Sequence, residues 1–388
     1  MTNLEICRKM EIAFTGDLFL GGEFVTRAEK VGTSLLSPFV DTLRITSRAG
    51  ICVVNLEGPI HSGTKTRGDV MAILCNHVKI LEYLKQHKKC IVNLANNHIM
   101  DFGEQGLRQT INVLKENGIP YMGAGYNIDE ANREIIITEG DKRIAFVAYT
   151  SNEPHIRAII AGHNSAGCAT YLDLDHTVDC IRNIKRKADI ICVSLHWGHE
   201  YYEYPSPDQV RIARALADAG ADLIIGHHPH TIQGIEYYKY SLIAYSLGNF
   251  FFPDYRMQNG RLRLSRTVER KFMILIARLN CKGQIMYDIK GGFLDSKMRL
   301  LIYDGEMERK FVDIITSLSR NIKIDPLEYE LFWNDYVMKR KKQLNMEDFY
   351  LAVKKMSKMT PCDLLKEIKW SDVRRNLARL STRMNYNK

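Results

Sequence analysis

Residues 189–200 read DIICVSLHWGHE and residues 222–230 read DLIIGHHPH, and these two stretches decide how the chain folds. In each, an aspartate opens a run of aliphatic side chains that ends abruptly in histidine. A short, continuous apolar run bounded in this way reads as a strand buried on both faces, as in a parallel sheet covered by helices. Polar residues that close such a strand lie at its C-terminal edge, where an open α/β sheet places its ligand crevice.

Working outward, further runs of the same kind occur at 11–17 (EIAFTGD), 51–57 (ICVVNLE), 90–98 (CIVNLANNH), 134–138 (EIIIT), 143–150 (RIAFVAYT) and 241–249 (SLIAYSLGN). Between them lie helical stretches at 77–89, 104–118 and 207–220, the last two ending in Gly118 and Gly220, where glycine accepts the left-handed terminal turn. The alternation predicts strand-helix-strand units and a mainly parallel sheet. At 270–280 (RKFMILIARLN) and 284–294 (QIMYDIKGGFL), two strands flank CKG, which reads as a tight antiparallel turn and a second, more antiparallel sheet. Beyond residue 300 the chain becomes helical and basic, at 308–321, 328–343, 346–359 and 372–385. Those basic helices read as solvated faces rather than binding patches. The expected organisation is an α/β domain over 1–298, a layered sandwich of mixed sheets flanked by helices, with a basic helical extension over 299–388.

The 388 residues carry a net charge of +9, with 45% hydrophobic and 26% charged residues. That is an ordinary globular composition with enough apolar mass for a sizeable core. The charge fits an anionic small molecule or polymer, or peripheral contact with an acidic membrane surface. No helix-turn-helix, zinc-finger or ribonucleoprotein signature accompanies it, so nucleic acid is not expected as a partner. No apolar run reaches the roughly 18–20 residues of a membrane span, and residues 1–16 lack the layout of a signal peptide. The nine cysteines form no CxxC pair, and Cys52, Cys90 and Cys192 sit inside apolar runs as small core side chains. Reduced thiols and a cytoplasmic location are the expectation.

Five strand ends deliver chemistry to one edge: Asp17, Glu57, the Asn96–Asn97–His98 triplet, His196, and the group His227, His228 and His230. Carboxylate, amide and imidazole together suit Mn, Zn or Fe better than Mg or Ca, which favour oxygen alone. A carboxylate between two such ions can bridge them. Ions about 3.5–4 Å apart bind substrate oxygens and activate water, and a nearby imidazole can protonate the leaving group. Taken singly, each residue has a plainer reading. GHHPH can be a solvated turn, Asn97 and His98 a helix cap, His196 a hydrogen-bonded core histidine, Glu57 a turn carboxylate and Asp17 a cap. Their common position at strand ends favours the metal. The glycines of TGDLFLGG (15–22) lack the GK[ST] of a P-loop and suit a close backbone approach instead. Substrate contacts are expected from Asn96, His199, Glu200 and Tyr202. The tyrosines at 201, 202 and 204 line either a substrate mouth or a surface loop, and residues 151–171 have the length and mixture of a lid.

Six segments in order, FTGDLFLGG, VVNLEGPI, NLANNHIMDFG, SLHWGHEYYEYPSPDQ, GHHPHTIQ and AYSLGNFFF, cover about residues 11–252. They resemble the capsule-synthesis proteins of the poly-gamma-glutamate type, the CapA family, a branch of the calcineurin-like metallophosphoesterase superfamily. The resemblance implies that Asp17 binds a first metal, that Glu57 bridges where the superfamily usually has Asp, and that Asn97, His196 and His228 hold a second metal. It further implies that His230 returns to the first metal, with His98 as proton donor and Asp101 orienting it. One position departs: the superfamily's histidine two residues after the aspartate is here Phe19. The longer Glu57 arm, His199 or Glu200 can compensate, or the first site is weak, so the expected content is one or two ions. The function expected is a metal-dependent hydrolase of a phosphoester or related anionic bond in capsule or cell-envelope polymer metabolism. Two alternatives stand beside it: a non-catalytic accessory protein of poly-gamma-glutamate or capsule synthesis or export, and a gamma-glutamyl amide hydrolase or ligase-like enzyme.

Overall fold

β1 (Met10–Leu18), β2 (Ile51–Leu56), β3 (Cys90–Asn93) and β4 (Tyr121–Met122) pair in parallel, each neighbour in chain order. A second sheet is built from β5 (Ile135–Glu139), β6 (Lys142–Thr150), β7 (Ile190–His196), β8 (Leu223–His227), β9 (Ile235–Tyr238) and β10 (Ser241–Ala244). Its order is β9-β10-β8-β7-β6-β5, parallel in the centre and antiparallel at both edges. The chain then returns to the first sheet through β11 (Asn249–Phe251), which runs parallel to β1. β12 (Lys271–Leu279), β13 (Ile285–Leu294) and β14 (Leu300–Ile302) extend that sheet in antiparallel fashion from the side of β1 away from β2, the side on which β11 also pairs. The strands at 270–294 therefore do not form a separate antiparallel sheet as the sequence suggested. They add to the mixed first sheet, because β1 has an open edge that pairs with β12 from Met10–Leu279 to Phe14–Leu275. This computed structural model describes residues 10–61, 66–153, 155–279, 284–322 and 325–356. The CKG turn, the last three residues of the helix expected at 346–359 and the helix expected at 372–385 lie outside them.

Alternation along the strands shows the layers. Ile12 and Phe14 of β1, Ile51 and Val53 of β2, Cys192 of β7, and Leu223 and Ile225 of β8 share one buried cluster, which is the layer between the two sheets. The intervening residues face outward. Ala13, Cys52 and Val54 pack with Phe24 and Ala28 of α1 (Gly22–Val31) and with Leu107, Ile111 and Leu114 of α2 (Gly103–Glu116). On the far side, Ile191, Val193 and Ile224 pack with Ile181 and Ile184 of α3 (Leu174–Lys185) and with Ala213 and Leu216 of α4 (Pro207–Asp218). The result is helix, sheet, sheet, helix. α4 starts at a complete capping box: Ser206 accepts from the Gln209 N–H, Gln209 reaches back to the Ser206 N–H, and Pro207 fills the first turn.

The first compact unit runs through Asp335, past the break expected at 298. The reason is that β14 pairs with β13, while Phe311, Ile315 and Leu318 of α5 (Gly305–Ile322) enter the layer between the sheets. The second unit, Tyr336–Lys388, begins inside α6 (Pro326–Met356), and its described part is helical. No described helix is long and apolar enough to cross a membrane.

Candidate metal centre

Asp17 stands where β1 is irregular: the register shifts against β2 between Phe14 and Asp17, and against β11 between Asp17 and Leu18. Bulges of this kind re-aim side chains at strand ends. Gly16 makes the shift feasible, since a Cβ there would collide with the Gly248 carbonyl. The Asp17 carboxylate is fully buried and receives the Asn55 amide at 2.8 Å. His227 Nδ1 lies 3.3 Å from one of its oxygens and His230 Nδ1 3.3 Å from the other. Burial pushes the Asp17 carboxyl up, but the two imidazoles outweigh that and hold it well below the usual range.

Glu57, just past β2, has both carboxylate oxygens buried and without a hydrogen-bond partner. His230 Nε2 is 3.5 Å away, close enough for attraction but not aligned for a bond. Burial, then the Asp17 charge, pushes the Glu57 carboxyl up to about 8. His230 is the counterpart. Burial alone would lower it, yet Glu57 and Asp17 raise it to about 10.

The second sheet presents the rest. β8 lies beside β7 with His227 opposite His196. His196 Nε2 is 2.9 Å from the Asn97 amide oxygen, its Nδ1 is buried without a partner, and its ring centroid is 4.7 Å from that of His228. Both ring nitrogens of His228 are buried and unbonded. Desolvation first, then neighbouring histidines, holds His196 and His228 well below the ordinary imidazole value, hence neutral and able to donate lone pairs. His228 has φ +92° and His230 φ +55°, backbone conformations that side chains other than glycine rarely adopt. Gly226, two residues earlier, leaves no room for a Cβ against the Tyr245 carbonyl and the Trp197 indole.

His98 Nδ1 donates to Asp101 at 2.8 Å, which leaves Nε2 as the ring's second working atom. Burial lowers the His98 pKa, but the Asp101 charge and hydrogen bond raise it overall. Asp101 is itself fixed by the Leu74 N–H at 2.8 Å. The expected ligands and the His98–Asp101 pair are thus brought together.

The four residues expected at substrate divide. Asn96 is buried, with its amide engaged by the Leu56 carbonyl and by the Gly58 and His98 N–H groups, so it ties strand ends together. Glu200 faces the centre. His199 stacks on His155 at 4.6 Å and on Trp333 at 6.1 Å, and Tyr202 packs on the same Trp333 at 5.7 Å. Through His155 the expected lid segment reaches this wall, its ring 6.5 Å from that of His228. Two residues not singled out from the sequence take part, Asn55 on Asp17 and Asn249, whose Oδ1 accepts from His230 Nδ1 at 2.8 Å, and His227, grouped with His228 and His230 but given no ligand role, stands beside Asp17. Asn55 and Asn249 lie inside the motifs VVNLEG and SLGNFFF, and that was the one signal available.

The donor atoms suit a cation. Among the described residues, one group of three donors is Asp17, Glu57 and His230, and a second is Glu200, His228 and His230, with the atoms of each group within 4.8 Å of one another. A buried carboxylate and buried imidazoles without protein hydrogen bonds are costly unless a positive charge satisfies them.

The family described as "Bacterial capsule synthesis protein PGA_cap" matches residues 11–254, well over half of the chain. The chain belongs to that family. Over 248 residues it is 32% identical to the PGA biosynthesis protein CapA of Bacillus subtilis, covering 63% of this chain and 64% of that protein. Over 257 residues it is 31% identical to the capsule biosynthesis protein CapA of Bacillus anthracis, covering 63% and 60%. It therefore spans somewhat under two thirds of the length of these CapA relatives. The Haemophilus influenzae NAD nucleotidase superposes with a TM-score of 0.40 at 13% identity, covering 86% of this chain and 60% of that one.

Proposed function

We propose that this PGA_cap family member is a metal-dependent hydrolase that cleaves a phosphoester or a related anionic bond in capsule or cell-envelope polymer metabolism. One observation carries the reading: side chains from both sheets meet at a buried point where Glu57 and His228 have no hydrogen-bond partner among protein groups. Asp17, Glu57, Asn97, His196, His228 and His230 would hold one or two divalent ions, for which the mixed donors favour Mn, Zn or Fe. Such ions supply Lewis-acid activation of substrate oxygen and of water. The protein's own part is positional. Asn55 and Asn249 fix Asp17 and His230. Asp101 holds His98 so that Nε2 can deliver a proton to the departing oxygen. The net charge of +9 favours an anionic small molecule or polymer as substrate.

A non-catalytic accessory role is the second reading, and Phe19 in place of a ligand is what favours it. A gamma-glutamyl amide as the bond cleaved is the third, prompted by the PGA biosynthesis protein of Bacillus subtilis. Purified protein loaded separately with Mn, Zn and Fe, and incubated with phosphomonoesters, phosphodiesters and poly-gamma-glutamate, separates the three. Phosphate or alcohol release that stops on chelation is the expected result. Glutamate release selects the amide, and metal binding without turnover of any substrate selects the accessory role.

A further inference from the structure

Phe19 cannot be turned into a metal contact by a small adjustment. It is buried in an aromatic nest, its ring centroid 5.2 Å from Phe252 and 6.2 Å from Tyr255, over Leu74. A donor lost there has to be replaced from elsewhere or not at all. The loop after β7 offers one. Glu200 brings a carboxylate oxygen within 4.8 Å of ring nitrogens of both His228 and His230. Its charge also reaches Glu57, so it faces the same space. The loop is held in place: the Tyr201 N–H donates to the Pro229 carbonyl at 2.7 Å, and Tyr201 itself sits at φ +70°. Glu200 is thereby set against the His-Pro-His turn. His199, next to it, belongs to neither donor group, because its ring lies against His155 and Trp333. The independent sign of a ligand is His228, whose two ring nitrogens are buried and bond to no protein group.

We propose that Glu200 is a direct metal ligand on the His228–His230 side of the centre, restoring in number the donor that Phe19 withdraws. The proposal rests on the metal-centre reading above. Of the two places the sequence left open for Glu200, at substrate or as a compensating donor, it selects the ion's own shell, and it makes the centre richer in carboxylate than the superfamily pattern: Asp17, Glu57 and Glu200 against His196, His228 and His230.

Metal content after gel filtration, together with calorimetric titration of Mn and Zn, tests it on wild type, Glu200→Gln and His199→Gln, with circular dichroism to confirm folding. Glu200→Gln is expected to lose one equivalent of metal, or to weaken one binding step at least tenfold, while His199→Gln keeps wild-type stoichiometry and affinity. Unchanged binding in Glu200→Gln overturns the assignment and leaves the function above intact. A wild type that binds no metal removes both. Should Glu200→Gln fail to fold, crystals of Zn-loaded wild type decide: a Glu200 oxygen at about 2.0–2.2 Å from the ion supports direct ligation, and a separation bridged by water overturns it.

Discussion

His228 combines a φ of +92° with two buried, unbonded ring nitrogens. Backbone strain of that kind costs on the order of 1–3 kcal/mol, and it persists here because the Asp17 carboxylate receives the His228 N–H at 3.3 Å. Asparagine tolerates positive φ better than histidine and exchanges the two ring nitrogens for a smaller carboxamide whose polar atoms also need partners, while it gives up ring contacts. His228→Asn is therefore expected to shift the stability of chelator-treated protein by less than about 1 kcal/mol, while the rise in melting temperature on adding metal disappears. Melts with and without metal check this, and a variant that still gains stability from metal would contradict it. His98 belongs to the other half of the site. His98→Gln is expected to lower kcat about 10²–10⁴-fold, the usual worth of a positioned proton donor, with metal content and KM little changed. A variant that loses its metal instead would make His98 a ligand.

At the level of elements, His87 joins two helical segments. Its Nδ1–H donates to the Leu84 carbonyl at 3.2 Å, and its Nε2 lies 2.9 Å from the Thr46 hydroxyl. Burial holds its pKa below the ordinary 6.5. The unfolded chain therefore takes up this proton first as pH falls. The stability His87 contributes is complete above about 6.5 and declines below it, until the folded-state value is reached. Denaturant midpoints between pH 7.5 and 5 should fall more steeply for wild type than for His87→Gln, and parallel curves would refute the assignment. Elements of this kind were legible to different depths. β1, β2, β3, β7 and β8 follow from unbroken apolar runs, because burial on both faces leaves little choice of side chain. Which sheet the 270–294 strands would join was not legible, since pairing at the open edge of β1 is decided by contacts some 260 positions apart, such as Arg278 with Glu11, |i−j| of 267. The site shows the same divide. Asp17, Glu57, His196, His228 and His230 announce themselves at strand ends, whereas the supporting amides of Asn55 and Asn249 acquire meaning only once Asn249 lies opposite Asp17 across β1 and β11. The bonds of the Asn96 amide were equally hidden, since it is engaged by backbone at the end of β2, at Leu56 and Gly58, some 40 positions away.

For the molecule as a whole, the centre is a junction between the two sheets, so an ion held there ties them together. Any ligand that binds only the folded state stabilises it, by about 2.7 kcal/mol at a hundredfold excess over Kd. Saturating Mn or Zn is expected to raise the melting temperature by several degrees over chelator, and an identical melt in both conditions would show that no ion bridges the sheets. The same junction has a temporal side. Asp17 and His228 touch across 211 positions, and Asn249, which steadies His230, comes later still. A ribosome that has released only the first sheet's parallel strands has made a protein unable to capture its ion. Capture of an ion at such a centre would thus wait until the chain has been made past Asn249, and a cell short of the cation would accumulate chains whose two sheets are finished but unlatched.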